Sequence, residues 1–398
     1  MINRYDVCVI GGAGHVGAPL ALVLANRGVR TLICDIDERA LKLLSEGEMP
    51  FVEEGGEVLL GKALAKQMLG FSSHIRDVVD VPVLILTIGT PIDEFHNPVL
   101  SLLTRCIDEM MPFLSDAQII ILRSTVAPGT TDYLDRYLKA KDKKTRVAFC
   151  PERVVQGKAI QEIQTLPQIV SGTSIEAKKI AGDLFIKIAP QIVEASTKQA
   201  EFAKLICNAY RYIQFAATNQ LFMMVESSGL NYNELLNIMK IGYPRMGSIP
   251  GPGFAAGPCL MKDTMQLFSL DKHSFILGQV AMTINEGLPN FLVQRLALHG
   301  DLSEKTIGVL GMAFKADSDD LRDSLSYKLV KILRFSGASV ICSDEYIKDP
   351  AFVSKEALIK HSDIIIIGVP HNSYRSLEFP SSIKVIDLWN LCSTTEKQ

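Results

Sequence analysis

Residues 5–17 of the chain are Tyr5-Asp6-Val7-Cys8-Val9-Ile10-Gly11-Gly12-Ala13-Gly14-His15-Val16-Gly17. The apolar run over residues 5–10 predicts a buried parallel strand, and the residues after the glycines follow an apolar helical pattern through Ala25. A second apolar strand over residues 30–34 ends at Asp35, which lies 23 residues after Gly12. This order of strand, glycine turn, helix, strand and acid predicts a Rossmann-type α/β unit.

Each glycine of the G-x-G-x-x-G pattern has a physical purpose. Gly12 permits a tight turn, Gly14 lets a pyrophosphate approach the backbone, and Gly17 allows the helix to pack closely on the strand. Asp35 can accept hydrogen bonds from ribose hydroxyls and would repel a 2′-phosphate, so the pattern predicts NAD rather than NADP. The alternative is a glycine-rich turn that binds no cofactor.

Further strands are predicted over residues 83–88, 118–122 and 147–149, and each is followed by a polar turn. Ligands of open parallel sheets bind at the carboxyl ends of the strands. Thr125 and Glu152 follow two of these strands and are therefore candidate site residues. Helix capping and a surface charge are the alternative interpretations.

A long helix is predicted over residues 197–228, which contain no internal Gly or Pro before Ser228. Lys204 and Asn208 are four residues apart and so present two hydrogen-bond donors on one helical face. The alternative for Lys204 and Asn208 is two solvated residues on an exposed face. The helix itself could be a spine between domains and a dimer surface. Further helices are predicted over residues 231–240 and 275–298.

The stretch Ile249-Pro250-Gly251-Pro252-Gly253-Phe254-Ala255-Ala256-Gly257-Pro258-Cys259 is too rich in glycine and proline for a helix interior. It predicts an ordered loop that lets backbone approach a ligand. Cys259 then lies at a predicted helix start, on one face with Asp263 and close to Lys262, where the pKa of a thiol is lowered. A buried structural cysteine is the alternative.

The last quarter of the chain repeats the first in outline. Strands are predicted over residues 306–310, 338–342, 363–369 and 383–386, without a second G-x-G-x-x-G. This part could bind a different nucleotide or serve only for docking. The predicted fold is α/β, with two Rossmann-like, doubly wound parallel-sheet domains (residues 1–196 and 300–398) joined by a long central helix within a helical dimerisation domain (residues 197–299).

Composition narrows the range of functions. A net charge of −3 over 398 residues gives no basic field for nucleic acid, and 47% hydrophobic residues can fill real cores. The eight cysteines are scattered without a C-x-x-C pair, so no metal site is predicted and a reducing cytoplasm is expected. Neither a signal peptide nor a membrane-spanning segment is expected.

Taken together, these motifs resemble the UDP-glucose/GDP-mannose dehydrogenase family of nucleotide-sugar 6-dehydrogenases. The resemblance covers nearly the whole chain. It rests on six stretches in the same order as in the family: Gly12–Gly17 with Asp35, Ser124-Thr125-Val126, Pro151-Glu152, Glu201-x-x-Lys204-x-x-x-Asn208, Pro250-Gly251-Pro252-Gly253 with Cys259, and Ala313-Phe314-Lys315 with Asp320-x-Arg322-x-Ser324.

The resemblance implies that NAD oxidises the C6 hydroxyl of a UDP-sugar to a carboxylate, without release of the aldehyde. Lys204 and Asn208 would stabilise negative charge on the C6 oxygen. Cys259 would attack the aldehyde to give a thiohemiacetal and then a thioester, and Asp263 would help to activate water. The implied catalytic residues are Thr125, Glu152, Lys204, Asn208, Cys259 and Asp263.

The family also implies binding residues. The cofactor would contact Gly12, Gly14, His15, Val16, Gly17, Asp35, Thr90 and Thr125. The nucleotide sugar would contact Glu152, Arg153, Lys204, Asn208, Arg245, Gly251, Gly253, Phe254, Phe314 and Lys315. Arg245 lies on a loop that tends to reach a neighbouring subunit in this family, so a homodimer or larger homo-oligomer is expected, and the usual product is a precursor of surface polysaccharide.

The chain departs from the family in two respects. Ala255-Ala256-Gly257-Pro258 stands where two glycines and then Ser or His are usual, and the alanine methyls are predicted to narrow the pocket. The motifs are also mixed. The residues after Cys259 resemble the UDP-glucose branch, whereas Cys150–Val154, Tyr243–Arg245 and Ile249–Pro252 resemble the UDP-N-acetylhexosamine branch, which the larger set slightly favours.

Two other functions fit parts of the same pattern. A two-electron hydroxy-acid dehydrogenase also joins a Rossmann domain to a helical domain, but it would leave Cys259 and the last domain without a purpose. A non-catalytic module that senses NAD or a nucleotide sugar would bind both ligands and produce no NADH.

Overall fold

A computed structural model describes residues 5–271 and 274–392 of the chain. Residues 1–4 and 393–398, the outer ends of the domains predicted over 1–196 and 300–398, lie outside the described ranges. The chain forms two compact units, residues 1–207 and 208–398.

Strands and helices alternate along most of the described chain. The strands are β1 (Val7–Ile10), β2 (Thr31–Cys34), β3 (Leu69–Ser72), β4 (Val83–Leu86), β5 (Ile119–Leu122), β6 (Arg146–Phe149), β7 (Gln168–Gly172), β8 (Ile192–Glu194), β9 (Thr306–Leu310), β10 (Ser339–Ser343), β11 (Ile364–Ile367) and β12 (Lys384–Ile386). The α-helices are α1 (Gly17–Asn26), α2 (Glu38–Glu46), α3 (Gly56–Ala65), α4 (Ser101–Met110), α5 (Thr130–Ala140), α6 (Ala159–Thr165), α7 (Ile175–Phe185), α8 (Thr197–Ser227), α9 (Tyr232–Lys240), α10 (Leu260–Leu270), α11 (Ile276–Ala297), α12 (Leu325–Phe335) and α13 (Lys355–His361).

The sheet of the first unit has the strand order β3-β2-β1-β4-β5-β6-β7-β8 among the described residues. Its central strands are continuous apolar runs because they are buried on both faces: every residue of β1 and β5 is buried. Val7 and Val9 of β1 pack with α1 on one face, and Cys8 and Ile10 pack in a second core on the other. The predicted doubly wound α/β fold is confirmed.

Two details of this sheet differ from the sequence prediction. The pairing of β6 with β7 is antiparallel, whereas the other strand pairs are parallel. Three strands were not predicted at all: β3, β7 and β8. They are harder to recognise because β3 contains Gly70 and β8 has only three residues, two of them exposed.

The strand order places the polar turns of the first unit at one edge. β1 pairs with β2 on one side and with β4 on the other, with Ile10 opposite both Cys34 and Leu86. The strands β2 and β3 lie on one side of β1, and the strands from β4 onward lie on the other side. Ligands of doubly wound sheets bind at the carboxyl end of such a switch in strand order. The turns after β1, β4 and β5 therefore meet at the carboxyl edge of the sheet.

The second unit contains the predicted second parallel sheet, with the strand order β10-β9-β11-β12 in the described residues. Its core joins β9 and β11 to α12 and to residues of α8, α9 and α11. The bounds differ from the predicted strands by three residues or fewer at each end.

The predicted long helix is α8, which has 31 residues, begins in the first unit and continues into the second. Its length reflects the absence of helix-breaking residues, as the sequence predicted. No helix among the described residues has both the length and the apolar character required to cross a membrane.

Candidate active site

The glycine turn after β1 is built by close backbone contacts. The N–H groups of Gly11 and Gly12 both donate to the Cys34 carbonyl, at 2.9 and 3.1 Å, which fixes the turn to β2. A Cβ on Gly17 would lie 2.6 Å from the Gly11 oxygen, so the predicted close packing at Gly17 is present. The tight turn itself is at Gly11, whose φ is +74°, and not at Gly12 as predicted. Gly12 is instead required because a Cβ there would lie 2.5 Å from the Val9 carbonyl oxygen.

Asp35 lies beside this turn at the end of β2. One carboxylate oxygen accepts from the Ala13 N–H at 2.9 Å, and the other accepts from the Asp37 N–H at 3.0 Å. The first turn of α1 has no side-chain cap and no acidic residue. The free N–H groups of an uncapped helix start can bind a pyrophosphate, and a carboxylate beside them can bind the hydroxyls of the adjoining ribose. These residues can therefore hold NAD.

Other predicted cofactor residues lie on the neighbouring loops of the first unit. The Thr90 hydroxyl donates to the Thr125 carbonyl at 2.5 Å, which links the loops that follow β4 and β5. The His15 ring lies 4.0 Å from the Phe51 ring, between centroids, and its Nδ1 lies 3.1 Å from the Gln156 amide nitrogen. The loops around the turn are thus joined by side-chain contacts.

Lys204 and Glu152 form a buried ion pair in the first unit. The Lys204 Nζ lies 2.6 Å from Glu152 Oε1, and the side chains are 5% and 11% exposed. Glu152 Oε2 also accepts from the Val154 N–H at 3.0 Å. The structure therefore brings together two residues that are 52 positions apart and that the sequence predicted separately.

Arg123 is a third charged residue whose charge acts on Glu152, and it was not predicted from the sequence. It is buried, and its Nη1 donates to the carbonyls of Cys150 and Pro151 at 3.0 and 3.3 Å and to Gln168 Oε1 at 2.6 Å. These bonds hold the loop that carries Glu152. The sequence signal was a lone arginine directly after the apolar strand Ile119–Leu122.

The charges around Glu152 keep it ionised. Burial alone raises the pKa of Glu152. The Lys204 ammonium, its hydrogen bond, the Arg123 guanidinium and the Val154 N–H together lower this pKa by more than burial raises it, so the net shift is downward. Burial in turn lowers the pKa of Arg123.

Two charged residues near this pair have contacts that stabilise the fold. Arg153, a predicted substrate residue, donates to the Pro167 carbonyl at 2.5 Å. Glu201 is buried and accepts from the N–H groups of Gly129 and Thr131 and from the Thr131 hydroxyl at 2.6–2.8 Å. It therefore caps the start of α5.

In the second unit, Cys259 immediately precedes α10 and is exposed. Asp263, one turn later, is 1% exposed. Its Oδ2 accepts from the Asn208 amide at 2.6 Å, and its Oδ1 lies 3.1 Å from the Lys262 Nζ. The alternative of a buried structural cysteine is excluded, and Asn208, Cys259 and Asp263 lie on adjoining turns of α8 and α10.

The alanines before Cys259 have different surroundings from those predicted. Ala255 is buried in a core cluster with Tyr212, Ala216 and Ala281. Its methyl group therefore fills space between helices, whereas the sequence predicted that it would narrow the pocket. Ala256 is partly buried and packs against a neighbouring core.

The remaining predicted substrate residues also lie in the second unit. Phe314 and Lys315 follow β9, and a Cβ on Gly257 would overlap the Phe314 ring. Arg245 is exposed on a short 3-10 helix, with its guanidinium 5.7 Å from the Tyr243 ring centroid. Arg322, from the same turn as Phe314, has its pKa raised chiefly by its hydrogen bonds to Asp320, which outweigh the opposing effect of burial.

Comparison with known proteins identifies the family. Models of the UDP-glucose/GDP-mannose dehydrogenase family match its NAD-binding domain at residues 5–189, its central domain at residues 198–286 and its UDP-binding domain at residues 308–394. The UDP-N-acetyl-D-mannosamine dehydrogenase of Pyrococcus horikoshii is 30% identical over 93% of this chain and 90% of its own length. The protein of the same name from Methanocaldococcus jannaschii is 29% identical over 94% of this chain and 87% of its own.

A solved structure gives the same result. The UDP-D-ManNAc dehydrogenase of P. horikoshii superposes with a TM-score of 0.87 and 28% identity, over 97% of this chain and 93% of the other. The glycine turn with Asp35, the Lys204–Glu152 pair and the exposed Cys259 occur within the matched domains. The chain therefore belongs to the UDP-glucose/GDP-mannose dehydrogenase family and is an NAD-dependent nucleotide-sugar dehydrogenase.

Proposed function

We propose that this chain oxidises the C6 hydroxyl of a UDP-N-acetylhexosamine to the carboxylate through a covalent bond to Cys259. The observation that carries the proposal is the placement of Cys259. Its thiol is exposed at the start of α10, one turn before a buried carboxylate that Asn208 holds at 2.6 Å. The N–H groups at a helix start favour negative charge, which suits a nucleophilic thiolate.

The first half of the reaction removes the proton of the C6 hydroxyl, which passes to water, and a hydride from the C6 carbon, which passes to NAD. NAD, when bound, supplies the oxidant for both oxidation steps. Lys204 carries three donors, so it can bind Glu152 and the C6 oxygen together. Its ammonium and the Asn208 amide stabilise negative charge on that oxygen as the hydride leaves.

The second half begins when the Cys259 sulfur bonds to the aldehyde carbon, giving a thiohemiacetal. Loss of a second hydride gives a thioester, and water then displaces the sulfur to release the carboxylate. Asp263 accepts a proton from this water. Glu152 is held ionised in the free protein. In this mechanism, Glu152 and Thr125 lie close to the reacting C6 carbon.

The substrate class is supported by the relatives. The two named above are UDP-N-acetyl-D-mannosamine dehydrogenases, and a third, from Ralstonia nicotianae, is an NDP-N-acetyl-D-galactosaminuronic acid dehydrogenase. We propose that residues 1–196 bind NAD, residues 197–299 carry the catalytic loop, and residues 300–398 bind the UDP group. The proposed sugar-nucleotide contacts are Glu152, Arg153, Lys204, Asn208, Arg245, Gly251, Gly253, Phe254, Phe314 and Lys315.

We also propose a homodimer formed along the central helices. Ile206, Tyr210 and Met224 of α8 are 52–61% exposed, and the apolar residues Ile276, Leu277 and Val280 of α11 are 45–64% exposed. An exposed apolar face of this kind is typical of an interface. Light scattering on the purified protein should give twice the mass of the 43.8 kDa chain, or a higher multiple.

The product is proposed to be a precursor of surface polysaccharide made in the cytoplasm. The eight cysteines are thiols, which suits a reducing compartment.

The substrate is tested by supplying UDP-ManNAc, UDP-GlcNAc, UDP-GalNAc, UDP-glucose and GDP-mannose with NAD and recording NADH absorbance. The highest kcat/KM is expected with a UDP-N-acetylhexosamine. Preference for UDP-glucose would overturn the substrate assignment, and binding of both ligands without NADH would indicate a non-catalytic sensor.

A further inference from the structure

A buried asparagine makes hydrogen bonds to the backbone of the glycine-rich loop that precedes Cys259. Asn219 lies on α8 with none of its surface exposed. Its Oδ1 accepts from the Gly253 N–H at 2.9 Å, and its Nδ2 donates to the Gly253 carbonyl at 3.0 Å. One side-chain amide thus binds both peptide groups of one residue, as a neighbouring strand would. Only a side chain with a donor and an acceptor side by side can do this.

Further hydrogen bonds fix the side chain of Asn219 itself. Its Nδ2 also donates to Asn285 Oδ1 at 2.9 Å, and Asn285 donates to the Tyr212 carbonyl at 3.1 Å. Asn285 belongs to α11 and is fully buried. The chain of hydrogen bonds therefore fixes the orientation of the Asn219 amide relative to two helices, and through it the position of Gly253.

The opposite side of Gly253 is covered by Trp389, which is the one tryptophan of the chain. Gly253 has a φ of +150°, and a Cβ there would overlap the Trp389 ring. The ring is itself fixed, because its Nε1 donates to the Ile367 carbonyl at the end of β11, at 3.1 Å. Gly253 therefore lies between the helices and the second sheet, with no room for a side chain.

The other end of the loop is held to the same domain. The Gly257 N–H donates to the Asp323 carbonyl at 3.2 Å, and a Cβ on Gly257 would overlap Phe314. Cys259 follows two residues later. The loop between Gly253 and Gly257 thus connects the turn proposed to bind UDP with the residue proposed to react.

We propose that Asn219 is a positioning residue that, with Trp389, holds the 251–257 loop in the conformation that receives the nucleotide sugar. This inference rests on the proposed function of the loop in UDP-sugar binding. Asn219 touches neither the sugar nor NAD; it acts through the Gly253 backbone. Without it, the Gly253 N–H and carbonyl lose their partners in a buried place, and the loop relaxes to conformations that bind UDP weakly.

The test compares Asn219→Ala with Gln118→Ala. Gln118 is a matched control because it is also a buried amide with three hydrogen bonds, which link it to Ser115, Val78 and Val81 before β5. UDP binding is followed by the fluorescence of Trp389, and hydrogen exchange is measured by mass spectrometry on the peptide that covers residues 249–258.

In the parent chain, UDP is expected to change the emission of Trp389 and to slow exchange in this peptide. Asn219→Ala should raise the Kd for UDP about tenfold or more and accelerate exchange, with the KM for NAD within about twofold. Gln118→Ala should lower the Tm without either effect. If Asn219→Ala does not fold, Asn219→Asp, which keeps the acceptor and loses the donor, should show the same changes.

An unchanged Kd for UDP in Asn219→Ala, or unchanged exchange of the 249–258 peptide, would each overturn the proposal and leave Asn219 as an ordinary core residue. The proposed oxidation is judged separately, from NADH production by the parent chain. If the parent makes no NADH with any UDP-sugar while UDP binding still depends on Asn219, the oxidation fails and the positioning role stands.

Discussion

Removing the ammonium of Lys204 should affect stability, catalysis and pH dependence together. In Lys204→Met the side chain keeps its bulk, but Glu152 remains buried without its partner at 2.6 Å. Loss of one member of a buried ion pair typically costs about 3–5 kcal/mol of unfolding free energy. Arg123 still faces Glu152, so we expect the lower end of this range. Loss of a donor to the C6 oxygen should lower kcat by about 10²–10³.

The pH dependence gives the sign of the effect. In the parent, the pKa of Glu152 is held below its ordinary value of 4.5, so its contribution to stability is present above that pH and is lost only as the pH falls below it. In Lys204→Met, we expect burial to outweigh the remaining charges, so that the pKa of Glu152 should rise above the ordinary value. The folded variant then binds more protons than the unfolded chain, so its stability should increase as the pH falls from neutral toward 5.

The assay is urea unfolding at several pH values, together with kcat from NADH production. Lys179→Met is the matched control, because Lys179 pairs with Asp183 at 3.0 Å on the solvent-facing side of α7, with both side chains more than 60% exposed. The double variant Glu152→Gln/Lys204→Met should recover much of the lost stability but none of the lost kcat. If Lys204→Met is destabilised no more than Lys179→Met, or if its stability follows pH as that of the parent does, the buried Lys204–Glu152 pair does not have this role.

Three further predictions follow from single positions. Gly17→Ala should weaken NAD binding and cost about 1–3 kcal/mol, because its methyl would press on the Gly11 oxygen at 2.6 Å; Gly61→Ala, with open space around it on α3, should do neither in the same titration and melt. Glu201→Ala should cost at least about 1–3 kcal/mol in urea unfolding, since it leaves the buried Thr131 N–H and hydroxyl without their acceptor, and an unchanged midpoint would contradict this. The pKa of Asp344 is about 2, because its hydrogen bond to His371 and backbone N–H donors outweigh the effect of burial; stability should therefore fall from about pH 4 to pH 2, and Asp344→Asn should flatten this part of the acid-unfolding curve.

The sequence predicted the site best where chemistry follows directly from local pattern. The glycine turn with Asp35 and the Cys259 helix start each depend on residues close in the chain, so spacing alone indicated them. The family resemblance then assigned roles to Lys204, Asn208 and Glu152 that spacing could not.

What the sequence could not show are contacts made by distant residues. Arg123 follows an apolar strand and Asn219 lies within a helical run. Their sequence neighbours do not reveal that Arg123 hydrogen-bonds to the loop that carries Glu152, or that Asn219 hydrogen-bonds to Gly253. The orientation of a methyl group is equally invisible, so Ala255 was expected at the pocket although it packs between helices. The tight turn was placed at Gly12 because the motif alone does not tell which glycine has the positive φ.

In the proposed mechanism, the sulfur of Cys259 is covalently bonded to the C6 carbon of the sugar between the two oxidations. The most direct measurement is the number of NADH molecules formed per molecule of UDP-N-acetylhexosamine consumed, in the parent and in Cys259→Ser. We predict two NADH per sugar for the parent, and for Cys259→Ser arrest after the first oxidation with NAD binding unchanged. One NADH with free aldehyde from the parent, or full activity in Cys259→Ser, would contradict the mechanism.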